Sequence, residues 1–272
     1  MKKLTRQLRQ SVSAPLAYLK WRYGKSSHES VCFYTFHKCA SSLFSGYVLK
    51  NIEGLRHVDY AKQIYRGGKI GNLTFDKSGF VYGPLRLSID PVLPAQKRLL
   101  ELVSDNDFIR GRISLFLVRD PRDILVSAYY SFGYTHGVSR VKEIRERQEK
   151  TRNEIQGKTV DEYALGAVRA MLGHFETAVE LNEACPRSVV LKYEDMIGNW
   201  DCFANDLTQY MEINQAVLTQ IYERSRPREK EDLSSHRRSG AVAGFRGKLK
   251  EETLAFLNRS LKEVLQRFQY EI

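Results

Sequence analysis

Cysteine is scarce in this chain. The 272 residues hold four, Cys32, Cys39, Cys185 and Cys202, with no C-x-x-C pair and no histidine at zinc spacing. That excludes a disulfide scaffold and a zinc ribbon, and it points to a reducing, cytoplasmic compartment. Long apolar runs are missing too. The longest stretch free of Asp, Glu, Lys and Arg is Ile124 to Ser139, and Ser, Tyr and Gly fill much of it. A membrane-spanning helix needs roughly 20 mostly apolar residues, so none is expected. The N-terminus is basic but has no apolar core segment, so no secretory signal peptide is read there. Acid is in deficit: 43 Lys and Arg against 32 Asp and Glu leave +11. Such an excess asks for an anionic partner without naming one.

Apolar residues are plentiful enough for a sizeable core, at 42% of the chain, so most of it must fold. Residues 1–30 stand apart as a basic arm. They carry seven Lys and Arg against Glu29 alone, +6 of the total. An arm of this kind suits peripheral contact with an anionic membrane surface, or simple docking on the domain that follows. From Val31 short apolar runs begin to alternate with helical segments. Val31–Phe36, Ile113–Val118 and Ser188–Tyr193 read as buried strands, with weaker ones at Val58–Tyr60 and Gly79–Tyr82. Helices are expected at Leu43–Ile52, after Asp120, at Trp200–Tyr210, Val160–Glu183 and Lys250–Phe268, and an exposed one within Lys142–Lys158. Tyr65–Ser78 and Ser225–Gly247 read as loops. Strands alternating with helices give an α/β fold, a central parallel sheet flanked by helices in a single domain.

Three strings carry chemistry. The first, His37-Lys38-Cys39-Ala40-Ser41-Ser42, joins a strand to a helix, an arrangement that turns backbone N–H groups toward a phosphate. It has no glycine and departs from the Walker A order G-x-x-x-x-G-K-[ST], which disfavours a nucleotide kinase. In the second, Arg119 ends a strand and Ser127 stands eight residues on, two turns into a helix that Asp120 caps and Pro121 opens. A guanidinium fork and a hydroxyl suit a dianionic phosphate; Arg119 and Arg122 paired internally with Asp120 and Asp123 is the competing reading. The third, Arg238-Ser239-Gly240 running on to Gly244-Phe245-Arg246, joins cations to glycines that let backbone approach a ligand.

Together these strings resemble the sulfotransferase family. Lys38 to Ser42 is similar to its 5′-phosphosulfate loop, Lys-Ser/Gly-Gly-Thr-Thr/Ser. Arg119 to Ser127 resembles its 3′-phosphate motif, and Tyr193-Glu194-Asp195 a segment common after a later strand. Arg238-Ser239-Gly240 resembles its Arg-Lys-Gly segment, and all four stand in family order. The resemblance implies a three-layer, P-loop nucleotide-binding-like domain over residues 31–272. It implies an enzyme that moves the sulfuryl group of 3′-phosphoadenosine 5′-phosphosulfate (PAPS) to a hydroxyl or amine, with no metal called for. By the same resemblance Lys38 neutralises charge on the bridging oxygen, and Cys39, Ala40, Ser41 and Ser42 hold the 5′-phosphate. Arg119, Ser127, Arg238, Ser239 and Gly240 hold the 3′-phosphate. Ala40 stands where the family has glycine, so the loop must either avoid positive φ or accept strain there.

No general base is obvious. Tyr82 falls where cytosolic small-molecule members have a catalytic His, and a phenol with a pKa near 10 is a poor base. Carbohydrate-directed members use a Glu near the second strand; Glu53, His57 and Asp59 occupy that region here, and Asp59 and His57 are the preferred candidates. His37 is a third by location. Cys39 as a thiol nucleophile is disfavoured by its place inside a phosphate loop. The expected acceptor is a carbohydrate or another hydroxyl compound, since the loops around Tyr65, Arg66, Phe132 and His136 are aromatic and basic. Two competing readings remain: a nucleic-acid- or membrane-surface-binding protein, which lacks any nucleic-acid motif, and a catalytically silent PAPS-binding relative.

Overall fold

A computed structural model describes residues 27–88, 90–227 and 240–272. Most of the basic arm, together with Arg238 and Ser239, therefore lies outside the described residues. Five strands form one sheet in the order β2-β3-β1-β4-β5. They are β1 (Val31–Thr35), β2 (Arg56–Val58), β3 (Phe80–Arg86), β4 (Ile113–Val118) and β5 (Arg187–Lys192). All four pairings are parallel. Every residue of β1 and β4 is buried, so both faces of the sheet's centre are covered, as unbroken apolar parallel strands require.

The three strongest apolar runs become β1, β4 and β5 within a residue of expectation. The weaker pair is displaced, and β3 is longer than its sequence advertises because Gly83-Pro84 sits in its middle. Proline has no N–H for the ladder and glycine no side chain to pack. The β1–β3 register shifts at this point, between Cys32 and Tyr34. A Cβ on residue 83 would meet the Phe33 carbonyl oxygen at 2.7 Å, so only glycine lets the two backbones come this close.

Helix α1 (Ser41–Gly46) follows β1, and Phe44 stacks on Phe33 with ring centroids 4.5 Å apart. Helix α2 (Tyr60–Gly67) joins β2 to β3, capped by Asp59, whose carboxylate accepts from Lys62 N–H. It occupies part of an expected loop; eight residues with one fully buried side chain, Ile64, are too few to show a helical period. Helices α3 (Pro94–Val103) and α4 (Asn106–Arg110) lead to β4, and α5 (Pro121–Tyr130) leaves it. Asp120 caps α5 and Pro121 opens it, as expected. One wide turn, Ser131–Thr135, follows, in which His136 N–H reaches back five residues to Ser131 O at 2.7 Å.

The remaining helices are α6 (Lys142–Gln156), α7 (Val160–Ala184), α8 (Tyr193–Gly198), α9 (Trp200–Thr208), α10 (Gln215–Ser225), α11 (Glu251–Ser260) and α12 (Lys262–Arg267). The last two replace a single expected helix, broken at Leu261. No helix among the described residues is long and apolar enough to cross a membrane.

Because the strands are parallel, their carboxyl ends share one edge of the sheet. The chain leaving β1 crosses beyond β3 to build β2, whereas β4 lies on the other side of β1. Such a switch in direction opens a crevice at the carboxyl edge, where α/β proteins bind ligands.

Candidate active site

The described residues of each string singled out in the sequence arrive at this edge. Lys38 follows β1, Asp59 follows β2, Arg86 ends β3, Arg119 follows β4, and Tyr193 and Glu194 follow β5.

The loop after β1 is shaped by two left-handed residues, Lys38 at φ 69° and Ala40 at φ 54°. Both carry a Cβ, so the loop holds the strain that glycine would have spared it. The N–H groups of Cys39, Ala40, Ser41 and Ser42 meet no acceptor among the described residues. Successive unpaired N–H groups in such a turn form a concave anion site at the head of α1. Ser41 is buried beneath it and Ser42 is exposed. The Cys39 thiol is buried, and burial pushes it up to about 12, so it stays protonated and takes no nucleophilic part.

Two arginines clasp this loop from opposite sides. Arg119, 8% exposed, donates to Lys38 O at 3.1 Å and to Ala241 O at 3.0 Å. It also pairs with Asp123 at 3.3 Å and lies 4.3 Å over the Tyr193 ring. From β3, Arg86 reaches Ser41 Oγ at 3.4 Å. Each guanidinium keeps a buried Nε–H with no acceptor. Orphan donors of this kind are costly unless a ligand satisfies them, so the loop and its two clasps fit an anion.

Around Arg119 the remaining strings lock together. Tyr193 donates its hydroxyl to Gly240 O at 2.6 Å, and Gly240 has φ 74°. Asp123 accepts from the N–H groups of Ala243 and Phe245. Glu194 accepts from Asp120 N–H at 2.9 Å and from the Tyr270 hydroxyl at 3.1 Å. Burial raises the Glu194 carboxyl. The internal pairing weighed against a phosphate role is real: Arg119 binds Asp123, and Arg122 forks onto Asp120. For Arg122 that is the whole role, since it is 2% exposed and also donates to Asn258 Oδ1 and Glu271 O. Arg119 differs in retaining its free Nε–H. Ser127 stands half-buried on α5.

On the β2–β3 side, Asp59 lies within electrostatic range of Arg86. Burial raises its carboxyl, while the Lys62 N–H bond and the Arg86 charge oppose that rise. His57 is tied down, its Nε2 lying 2.6 Å from Gly83 O, and burial lowers it. Tyr82 packs among Phe75, Phe80 and Tyr60, and its oxygen accepts from Asp76 N–H. Burial raises this phenol, which removes it as a base. His37 is held far below the usual imidazole range, first by burial and then by Arg86, His136, Lys38 and His174. Its ring meets Phe132 edge-on at 5.6 Å.

Sequence reading missed Arg86 as a site residue. The signal was thin: an arginine closing an apolar strand beside Gly-Pro, with nothing to say that β3 would lie next to β1. The bracing roles of Asp123, Glu194 and Tyr270 also needed the third dimension.

The profile of the sulfotransferase domain matches residues 114–269, more than half of the chain. The chain belongs to the sulfotransferase domain family. No curated protein sequence matches it. Among solved structures this sulfotransferase-family chain is similar to mouse sulfotransferase SULT7A1 complexed with PAP. The identity is 10% over 87% of this chain and 84% of the mouse chain, with a TM-score of 0.50, a likeness of fold. Two structures of retinol dehydratase also match. One, with androsterone and inactive cofactor PAP, is 15% identical over 87% of this chain and 80% of its own, at TM-score 0.44. The other, with retinol and PAP, is 13% identical over 89% and 83%, again at 0.44.

Proposed function

We propose that this sulfotransferase-family protein uses PAPS as donor and moves its sulfuryl group to a hydroxyl or amine, with a carbohydrate hydroxyl as the favoured acceptor. One observation carries the reading: four unpaired N–H groups at the head of α1, beside Lys38, are clasped by two buried arginines that each keep a spare donor. The N–H groups, Lys38 and Arg86 suit the 5′-phosphate end of the donor. Arg119, Ser127 and the Gly240 backbone would take the 3′-phosphate, joined by Arg238 and Ser239.

Sulfuryl transfer resembles phosphoryl transfer, so positioning and charge stabilisation dominate. The acceptor oxygen bonds to sulfur as the bond from sulfur to the bridging oxygen breaks, and the released nucleotide is adenosine 3′,5′-bisphosphate (PAP). Lys38 neutralises the charge that develops on that bridging oxygen. Asp59 takes the acceptor proton, and its raised carboxyl makes it a better base than an ordinary aspartate. Arg86 bonds to Ser41 and its charge reaches Asp59, whose carboxylate the Lys62 N–H holds in place. His57, bonded to a backbone carbonyl, positions β2 and does not carry the proton.

A screen with ³⁵S-labelled PAPS over glycans, lipids and small phenols tests this reading. Label on at least one hydroxyl acceptor, lost in Lys38→Ala, is the expected result. PAP binding without transfer to any acceptor would instead mark a silent relative. ATP hydrolysis without PAPS turnover would favour a kinase.

A further inference from the structure

Beyond the loop, α2 leads away from Asp59 toward a second, unassigned feature. A cleft of about 300 Å³ opens between the end of α2 and residues 138–140, lined by Tyr65, Arg66, Val138 and Arg140. Its volume is that of a small ligand pocket. The two walls are fastened together. Tyr65 donates its hydroxyl to Gly137 O at 2.9 Å, Ser139 Oγ donates to Tyr65 O at 2.5 Å, and Gln148 bridges Ser139 N–H and the Tyr65 oxygen. The cleft is thus a built part of the fold.

Its charge is of one sign. Residues 60–75 and 124–142 contain no acid. Arg66 and Arg140 are exposed and form no ion pair among the described residues. On α2, Lys62 and Arg66 follow Asp59 at spacings of three and four residues, and Lys69 lies just past the helix end. That spacing keeps Lys62 and Arg66 on one stripe of the helix, and Gly68, at φ 71°, turns the chain before Lys69. Arg66 lies about 10 Å along the axis from Asp59 at 1.5 Å per residue. A row of unneutralised cations therefore runs from the proposed base into the cleft.

We propose that this stripe and cleft hold the acceptor, and that the acceptor is an acidic oligosaccharide whose carboxylate or sulfate groups lie against Arg66 and Arg140 while one hydroxyl reaches Asp59. The inference rests on the sulfuryl-transfer reading above and adds the substrate class. Guanidinium forks match carboxylate and sulfate geometry, and the Tyr65 ring between them offers an apolar face to a pyranose. An acidic peptide fits less well. Its backbone needs partners, and the neighbouring wall groups are spent: Gly137 O, Ser139 N–H and Val141 N–H all bond within the fold.

The test measures ³⁵S transfer by the full-length protein to three acceptors of matched length. These are an unsulfated uronate-bearing hexasaccharide, a neutral chitin hexasaccharide and an acidic tyrosine-containing peptide. Calorimetric titration of the uronate hexasaccharide without donor runs alongside. The uronate chain should be the best acceptor, with an advantage that shrinks as salt rises. The double variant Arg66→Ala/Arg140→Ala should raise its KM about tenfold, two modest ion contacts together, and weaken donor-free binding to match. Unchanged thermal unfolding and PAP binding would show the variant folded. Equal labelling of the neutral chain, preference for the peptide, or an unaltered KM in the variant would overturn the proposal while leaving sulfuryl transfer intact. If none of the three is labelled, the wider acceptor screen decides the transfer reading, and the calorimetry decides the subsite alone: arginine-dependent uronate binding supports it, and equal or absent binding overturns it.

Discussion

The cations of this protein fall into two populations. Around β4, Arg119 and Arg122 are buried and bonded to Asp123, Asp120 and backbone carbonyls. Along α2 and its facing segment, Lys62, Arg66, Lys69 and Arg140 are exposed, with no acid in their own stretches of chain. Formal charge counts the two alike, yet physically they are opposites. Buried charge is neutralised in place and fixes geometry, because an unpaired ion in low dielectric is too costly to keep. Exposed, unneutralised charge leaves a field that a ligand can answer. Lys38, half-exposed beside α1, and Arg86 and Arg119, whose buried Nε–H groups find no acceptor among the described residues, stand at the boundary.

That contrast can be broken most forcefully on the buried side. Arg122→Ala leaves Asp120 unpaired in the core, and denaturant unfolding should show a loss of about 3–5 kcal/mol; a loss under 1 kcal/mol would mean the pair is not buried. At the boundary, Lys38→Ala should cut turnover on the order of 10²–10³-fold, as loss of one charge-stabilising donor does. Thermal stabilisation by PAP should largely survive in that variant. Asp59→Asn should lower kcat/KM by about 10²-fold and remove the acid limb of its pH profile. Because folding raises this carboxyl, the wild-type limb belongs above the ordinary aspartate range near about 3.9, with activity rising as pH passes upward through it. A limb that survives in Asp59→Asn moves the proton to another group, with His37 next in line. On the exposed side the effects are smallest, and Lys69→Ala should leave folding unchanged within about 0.5 kcal/mol.

Much of the fold was legible in the sequence. β1, β4 and β5 are short apolar runs of the kind that only a parallel strand buried on both faces explains. The Asp120-Pro121 helix start held to the residue. β3 was blurred by its own Gly-Pro and α2 by its brevity, since both depend on packing that no local period records. The candidate site was legible as loops and not as a constellation. Lys38, Arg119 and Gly240 stood out singly, yet only the sheet order makes the carbonyls of residues 38 and 241 share one guanidinium. Asp59 and Arg86 are separated by 27 positions and come within electrostatic range because β2 pairs with β3, Val58 against Tyr82. Arg238 and Ser239 remain expectations of the sequence. The cations behind the +11 divide: some are neutralised in internal pairs, some face the carboxyl edge of the sheet, and some line the proposed acceptor side. The +6 of the basic arm belongs to none of these.

The central claim is that the carboxyl edge binds a nucleotide by two separated phosphates. Titration calorimetry of the full-length protein with PAP and with AMP, which lacks the 3′-phosphate, tests it most directly. Each lost charge-assisted phosphate contact costs roughly 1.5–3 kcal/mol, so PAP should bind at least about tenfold more tightly than AMP. Equal affinity for the two nucleotides would contradict the account.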